Sequence, residues 1–403
     1  MFHKFKVPLI ISFLGLITLF LGYKAISYST YSVVPEISTK GLTSGDYYSG
    51  VVQSKIVSNN GYKIDHIDVY LDGKMLDLDG TKKINKKSLN FPLTIDTTTL
   101  LDGKHNLTVD IVDASKHQNK NQMNLDFYVD NTDLNATFID QSYKVLQGRT
   151  IHAKIKANKK LADAKIQFLE KNYEFYPESE YSTVYESFIP VDCDLNAGEY
   201  QLNAKVKDFV GHDMNLSGRV DIQEYNFPKQ KGFVVEKCKL EEEKEVSMSN
   251  RILEDAIEKW LTDSPNKKLW TGRFEVPVDI KKITTPFGEI RTTSEKGHYM
   301  HKAVDILNNP RSVIWASQEG KVVIKDRFLL TGNTIVLDHG IGVFTIYCHL
   351  EDFADIEVGD LVKKGNKIGR MGMTGYANGY HLHWELRVNN VAVDPFQWTQ
   401  KNF

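Results

Sequence analysis

Short segments in which apolar and polar residues alternate dominate the chain from about residue 35 to 224. Apolar residues recur at every second position in HIDVYLDGK, HNLTVDIVD, YQLNAKVKD and TIHAKIKAN. This period is typical of antiparallel strands that bury one face and expose the other. Turn-forming residues separate the segments. The pattern therefore predicts a mostly β fold for this part of the chain.

One strand pattern occurs twice in this region. Residues 102–113 realign on residues 197–208, so that Gly103 matches Gly198 and Leu107 matches Leu202. The offset of 95 residues is close to the size of an immunoglobulin-like β-sandwich, about 100 residues. We therefore expect two tandem immunoglobulin-like modules, over residues 35–130 and 131–224. The alternative interpretation is a single irregular β domain.

Residues 225–268 have the composition of a linker that contains one helix, predicted over about residues 249–262. The apolar residues of this stretch recur with helical spacing and form one face: Ile252, Leu253, Ala256, Ile257, Trp260 and Leu261. Such a face packs against a neighbouring domain in most proteins. The alternative is a lid or a partner-binding helix.

The N-terminus has a different pattern. Lys4 and Lys6 precede a run without charge, residues 7–23, which is long enough for either a short membrane-spanning helix or the core of a signal peptide. The positive flank places the N-terminal end in the cytoplasm and the rest of the chain outside. We interpret residues 1–24 as a signal-anchor or transmembrane segment. The alternative is a signal peptide cleaved after residue 27, and both interpretations export the protein.

Composition narrows the classes of function. The 403 residues carry a net charge of −2, and the basic residues are scattered, so no nucleic-acid partner is expected. The three cysteines, Cys193, Cys238 and Cys348, are odd in number and form no C-x-x-C pair. They supply neither a disulfide framework nor a thiolate zinc cage. Any zinc would have to be held by histidine and carboxylate.

The segment HLHWELRV, residues 381–388, predicts a strand with two chemically different faces. One face carries only apolar side chains, and the other carries His381, His383, Glu385 and Arg387. Upstream, His301 and Asp305 are four residues apart, an even spacing that places both on one face of a strand. Two such strands could surround one ion with nitrogen and oxygen ligands, a set that suits zinc.

These motifs occur in an order that resembles a known family. Residues 269–403 are similar to the catalytic domain of the LytM/lysostaphin-type zinc endopeptidases. The resemblance runs through TPFG (residues 285–288), HKAVD (301–305), GNTI (332–335), YCHL (347–350), VGD (358–360), HLHWE (381–385) and VDP (393–395). It implies an antiparallel β domain with its active site in a groove between loops. Ala303 and Cys348 depart from the residues common in the family, and Cys348 is expected to point away from His349 into the core.

Carried over position by position, the resemblance implies that His301, Asp305 and His383 bind Zn²⁺. It further implies that His349 and His381 form an unmetallated catalytic pair. No H-E-x-x-H motif occurs in the sequence, so the glutamate base of that class of metalloprotease is absent. Histidine titrates near neutral pH and can take over proton transfer. Which of the two histidines is the general base is left open.

The resulting expectation is a zinc metalloendopeptidase that hydrolyses peptide cross-links of bacterial peptidoglycan. It would lie in the cell envelope, anchored to the membrane through its N-terminal helix, with its catalytic domain outside the cytoplasm. The immunoglobulin-like modules would act as a spacer and could bind envelope proteins. The alternative function is a non-catalytic envelope regulator or scaffold that activates other wall hydrolases. The sequence does not identify the bond that is cut.

Overall fold

The computed structural model describes residues 6–230, 252–293 and 297–403. Contacts divide the chain into two compact units. Unit 1 comprises Met1–Asp133 with Phe209–His212, and unit 2 comprises Leu134–Asp208 with Asp213–Phe403. Both units are mostly β, as the alternating pattern predicts.

Among its described residues, unit 1 contains one long helix, one short 3₁₀ helix and seven strands. The elements are α1 (Lys6–Thr30), β1 (Glu36–Lys40), β2 (Tyr47–Tyr48), β3 (Val51–Leu71), β4 (Lys74–Met75), β5 (Lys86–Asp96), the 3₁₀ helix Thr97–Thr99, β6 (Gly103–Asp113) and β7 (Lys120–Val129). All seven strands belong to one sheet, in which β4 and β5 branch from β3. The first half of β3 pairs with β1 and β5 and the second half with β6. Ile56 and Ile67, one from each half, share a single core cluster.

The uncharged N-terminal run forms α1, as expected for a helix-forming segment. In the part of the chain that the structure describes, no helix combines the length and the apolar character that a membrane crossing requires. The prediction of a transmembrane segment over residues 1–24 is therefore not confirmed.

The first part of unit 2 is a second β module built from two sheets. Its strands are β8 (Ala136–Phe138), β9 (Ser142–Leu146), β10 (Thr150–Ala157), β11 (Asp163–Phe168), β12 (Lys171–Glu174), β13 (Tyr176–Pro177), β14 (Val184–Pro190), β15 (Gly198–Lys207) and β16 (Asp213–Gln223). The order is β13-β14-β10-β8 in one sheet and β12-β11-β15-β16-β9 in the other. Ile155 of β10 and Ile166 of β11 are fully buried in one cluster, so the two sheets share a core.

The sequence repeat has a structural counterpart. Gly103 begins β6 and Gly198 begins β15, both with positive φ, 136° and 150°. Leu107 and Leu202 are both fully buried. The repeated residues therefore occupy equivalent positions in the two β modules, at the start and along the inner face of one strand.

The C-terminal part of unit 2 contains thirteen strands and two helices in its described residues. They are β17 (Lys229–Gln230), α2 (residues 252–263), β18 (Lys282–Thr285), β19 (Glu289–Thr293), β20 (Gly297–His301), β21 (Val304–Leu307), β22 (Val313–Trp315), β23 (Gly320–Phe328), β24 (Gly332–Asp338), β25 (Val343–Phe353), β26 (Leu361–Val362), β27 (Lys367–Met371), β28 (Leu382–Val388), β29 (Val391–Val393) and α3 (Pro395–Gln400). Ten strands form one sheet with the path β18-β21-β28-β25-β24-β23-β26, and β17, β19 and β20 form a separate sheet.

Helix α2 packs against the large sheet, as the simpler interpretation of its apolar face predicts. Leu253 and Ile257 are buried in a cluster with Ile346 and Cys348 of β25. Cys348 is fully buried, in the core as expected. The helix ends at residue 263. The start that the sequence predicts, near residue 249, lies outside the described residues.

The second β module also packs directly on the C-terminal part. Phe188 of β14 is 3% exposed, and its ring centroid lies 5.9 Å from that of Trp270 and 5.5 Å from that of Trp398. The backbone N–H of Thr150 donates to Oε1 of Gln397 at 2.7 Å. Buried aromatic rings and a buried hydrogen bond therefore join the two parts into one unit.

Candidate active site

Strand β28 has the two faces that its sequence predicts. Leu382, Trp384 and Leu386 are fully buried on one side. On the other side, Nε2 of His383 lies 3.0 Å from Oε1 of Glu385. His381 directly precedes the strand and forms an isolated bridge with Gly372. The alternation thus supplies a row of polar side chains on a strand that is anchored by its apolar side.

His301 and Asp305 lie close together, but not on one strand as their spacing predicts. They do not share a strand, since His301 ends β20 in the small sheet and Asp305 lies in β21 of the large sheet. The turn at Lys302 and Ala303 carries the chain from one sheet to the other. Asp305 pairs directly across from His383, so the large sheet supplies two of the three candidate ligands and the small sheet supplies the third.

Three potential ligand atoms converge at this point. Nε2 of His301 lies 3.3 Å from Nδ1 of His383 and 3.3 Å from Oδ1 of Asp305. Nδ1 of His383 lies 3.0 Å from the same carboxylate oxygen. Within the described residues, His301, Asp305 and His383 form a group able to hold a metal ion. A second such group, Asp192, Cys193 and Asp194, surrounds the ammonium group of Lys302 and is described below.

The triangle of ligand atoms fits zinc. Tetrahedral zinc with bonds of about 2.0–2.1 Å places its ligand atoms about 3.3 Å apart, which is close to all three observed edges. The set of two imidazole nitrogens and one carboxylate oxygen is also one that zinc accepts, and three protein ligands leave a fourth position open. Because Nε2 of His383 is hydrogen-bonded to Glu385, Nδ1 is the ring nitrogen that would bind the metal.

His349 reaches the site because β25 is irregular. Cys348 pairs across from His383, so in a regular strand His349 would point to the opposite face. Instead, the register of β25 against β24 shifts at this point, and His349 adopts a φ of +60°. Such a bulge redirects a side chain. The ring of His349 lies 4.8 Å from that of His381 and 5.8 Å from that of His383.

Backbone carbonyl groups fix the tautomers of both candidate catalytic histidines. Nδ1 of His349 lies 2.8 Å from the carbonyl oxygen of Thr374, and Nδ1 of His381 lies 2.8 Å from that of Gly379. A carbonyl oxygen can only accept, so each Nδ1 carries hydrogen. In the neutral rings, each Nε2 then bears a lone pair. Nε2 of His381 lies 3.8 Å from Oδ1 of Asp305.

Burial and neighbouring charges set the protonation of the cluster. Burial, followed by the proximity of His383 and His381, lowers the pKa of His349 to about 3, so this ring is neutral near pH 7. Burial opposes ionisation of Asp305, but hydrogen bonds to His301 and His383 outweigh it and hold the pKa of this carboxyl well below its ordinary value. The site thus combines an ionised carboxylate, which suits metal binding, with a neutral imidazole at His349.

Glu385 and Arg387 extend the hydrogen bonds of the site along β28, from His383 to Glu385 and from Glu385 to Arg387. Glu385 is 8% exposed, and its Oε2 accepts a hydrogen bond of 2.8 Å from Nε of Arg387. Burial raises the pKa of Glu385, but Arg387 and His383 outweigh it and lower the value to about 2. The sequence placed both residues on the face of His383 without assigning them a role. Their spacing of two and four residues from His383 was the available signal.

Comparison with known proteins finds similarity over the part of the chain that contains this site. Residues 299–395 match peptidase family M23. The DD-carboxypeptidase/endopeptidase Mpg of Neisseria meningitidis is 33% identical over 125 residues, 31% of this chain and 29% of that protein. The peptidoglycan DD-endopeptidase ShyB of Vibrio cholerae is 32% identical over 127 residues, 31% of this chain and 30% of that protein. The chain thus spans less than a third of the length of these relatives. A solved M23 peptidase structure from Pseudomonas aeruginosa is 20% identical, with a TM-score of 0.43, and covers 63% of this chain and 94% of that chain.

Proposed function

We propose that the protein is a zinc-dependent endopeptidase, because residues 299–395 of its C-terminal part match peptidase family M23. Its substrate would be the peptide cross-links of bacterial peptidoglycan. The observation that carries the proposal is the triangle of ligand atoms from His301, Asp305 and His383, with edges of 3.0–3.3 Å. The M23 relatives named as peptidoglycan endopeptidases support the substrate class.

The roles proposed for the five side chains follow from their geometry. His301, Asp305 and His383 hold zinc, which when bound would activate a water molecule and polarise the scissile carbonyl group. Nε2 of His381 lies 3.8 Å from Oδ1 of Asp305, and the ring of His349 lies 5.8 Å from that of His383. One of the two histidines accepts at Nε2 the proton that the attacking water loses, and the other, when protonated at both ring nitrogens, donates a hydrogen bond to the developing oxyanion. The proton accepted at Nε2 is then available to the leaving amine.

The non-catalytic alternative receives no specific support from the site. A regulator that had lost activity would be expected to lack at least one ligand or proton-transfer residue. All five positions instead carry side chains suited to catalysis, and they lie together in the structure.

Single alanine variants of the five residues test the proposal. Variants at His301, Asp305 or His383 should lose zinc, because a three-ligand site that loses one ligand binds far more weakly. Variants at His349 or His381 should retain about one zinc per chain but cleave roughly 100-fold more slowly, the scale of a positioned proton-transfer group. Metal analysis is combined with mass spectrometry of fragments released from cross-linked wall peptides. Loss of zinc from His381→Ala together with its retention in His383→Ala would reverse the ligand assignment.

We also propose the division of the chain that the sequence predicts: immunoglobulin-like modules over residues 35–130 and 131–224, a linker over 225–268, and the peptidase domain over 269–403. One feature of the second module supports the immunoglobulin-like assignment. Oη of Tyr200 donates to the carbonyl oxygen of Asn196 at 2.8 Å, as in the tyrosine corner of such sandwiches. Limited proteolysis should cut between these segments if the division is right.

A peptidoglycan substrate places the catalytic domain outside the cytoplasm, in the cell envelope. Helix α1 exposes large apolar side chains such as Phe13 and Leu19, 66% and 73% exposed. Retention as a membrane anchor or removal as a signal peptide would both take these side chains out of water. Fractionation and the mass of the mature N-terminus distinguish the two outcomes. A full-length protein in the cytoplasmic fraction would contradict this location.

A further inference from the structure

The proposed zinc site depends on the relative position of two sheets. Asp305 and His383 are direct cross-strand neighbours in the large sheet, so their spacing is fixed by strand pairing. His301 is the last residue of β20 in the small sheet. Zinc binding therefore requires the end of β20 to stay within about 3.3 Å, ligand atom to ligand atom, of a different sheet.

The second β module and the chain that follows it hold this small sheet in place. Strand β17, which lies directly after the module, pairs in parallel with β19, and β19 in turn pairs with β20. Cys193, in the loop after β14 of the module, is 2% exposed and shares a core cluster with Phe287 and Val304 of the C-terminal part. The backbone N–H of Gly288 donates to the carbonyl oxygen of His301 at 2.7 Å.

A polar contact from the same loop reaches the residue next to His301. Nζ of Lys302 lies 3.1 Å and 3.3 Å from the two carboxylate oxygens of Asp192 and 3.3 Å from Oδ2 of Asp194. Oδ1 of Asp192 also accepts the backbone N–H of Asp194 at 3.1 Å, which closes the loop around the ammonium group. The side chains of Lys302 and Asp192 are about two-fifths exposed, 40% and 41%, so the contact contributes geometry more than stability.

We propose that Lys302 is a positioning residue for the metal ligand His301, and that the second β module exerts this control through Asp192 and Asp194. The module would then be part of the peptidase site and not merely a spacer. The inference rests on the proposed zinc peptidase function. It gives a role to the lysine in the turn between two candidate ligands, whose ammonium group contacts two carboxylates.

Zinc affinity of the full-length protein provides the test. Lys302→Met keeps the length and apolar stem of the side chain and removes its charge. It should weaken zinc binding about tenfold, the low end of the range for residues that orient a metal ligand. The Asp192→Asn/Asp194→Asn double variant should show the same loss. Combining all three substitutions should add little, because residues that act through one contact are not additive. Affinity is measured by competition with a chelating dye.

Two controls separate this role from a general effect on stability. Lys325→Met breaks the exposed ion pair with Glu357, 2.8 Å in the same domain, and should leave zinc affinity unchanged. Arg149→Gln breaks the pair with Asp394, 3.0 Å, which joins the module to the C-terminal part without touching Lys302. Equal weakening of zinc binding by Arg149→Gln and Lys302→Met would replace the specific role with a general docking effect and overturn the proposal.

The outcome also distinguishes failure of this inference from failure of the proposed function. A wild-type protein that binds zinc and cleaves cross-linked peptides, with Lys302→Met binding within twofold of it, overturns the positioning role alone. A wild-type protein that neither binds zinc nor cleaves overturns both. Full additivity of the aspartate and lysine substitutions would show that they act through different contacts and would contradict the proposal.

Discussion

Removal of the Glu385 carboxylate should weaken zinc binding without removing a ligand. Oε1 of this buried carboxylate accepts a hydrogen bond of 3.0 Å from Nε2 of His383, and Oε2 accepts one of 2.8 Å from Nε of Arg387. When zinc is bound, the first bond would hold His383 in the tautomer whose Nδ1 lone pair faces the ion. The second keeps Glu385 ionised, since Arg387 contributes to lowering the pKa of the carboxyl to about 2. The orientation of His383 and the negative charge beside it thus both depend on Glu385.

The expected magnitude follows from the two bonds. In Glu385→Gln, the amide group can present its oxygen to His383 only by turning its NH₂ group toward the N–H of Arg387. One hydrogen bond is therefore lost in either orientation. Partners of this kind are worth about 10- to 100-fold in metal affinity, or about 1.4–2.7 kcal/mol. Glu385→Ala should in addition lower the stability of the metal-free protein, because it leaves Arg387 buried without its partner.

The assay is zinc competition with a chelating dye, together with thermal melting in the presence of a chelator. Glu357→Gln is the matched control, because it removes an exposed carboxylate, 75% exposed, in the same domain, and should leave zinc affinity unchanged. Glu385→Gln should melt normally yet bind zinc at least tenfold more weakly. If it binds zinc within twofold of the wild type, the contact does not orient His383, and the reasoning about the tautomer is wrong.

Three further predictions concern folding and burial. Burial lowers the pKa of His339 to about 4, whereas in the unfolded chain histidine has a pKa near 6.5. The free energy of unfolding should therefore be highest above pH 6.5 and should fall by about 3 kcal/mol between pH 6.5 and pH 4. Thermal melts of His339→Gln should depend less on pH over this range. A fragment of residues 269–403 should aggregate where residues 134–403 stay soluble, because loss of the second module uncovers Trp270 and Trp398; equal solubility by size-exclusion chromatography would contradict this. Burial raises the pKa of Cys193 to about 12, so in a Cys238→Ser background the native protein should react slowly with a thiol reagent and unfolding should release the reaction.

The spacing of apolar residues predicted the structure correctly where a strand or a helix is regular. Alternation along residues 381–388 predicts the buried side of β28 and places Glu385 beside His383, since strand geometry leaves no other arrangement. The spacing of apolar residues likewise predicts a helix near residues 249–262, and the structure buries its Leu253 and Ile257. Both predictions need only the period of one element.

Alternation fails where the strand itself is irregular. It places His349 on the opposite face from His383, because Cys348 is the residue directly across from His383. The positive φ of His349 and the register shift of β25 reverse this. No glycine in Tyr347-Cys348-His349 marks a left-handed position. The sequence pattern therefore gave no sign of the positive φ at His349. The family resemblance, not the pattern, identified His349.

The ligand spacing shows a second limit of local reasoning. An interval of four residues between His301 and Asp305 is compatible with one strand, one helix turn or two separate strands, and only the third occurs. What selects it is remote in the sequence: β17 extends the sheet of His301, and the loop at Asp192 holds Lys302. The strand pair joins Lys229 to Ile290, 61 positions apart, and the loop contact joins Asp192 to Lys302, 110 positions apart. The candidate ligands are therefore identifiable from local sequence, and strand pairing sets the distance between Asp305 and His383, whereas in our proposal the position of His301 depends on the module that precedes the peptidase domain.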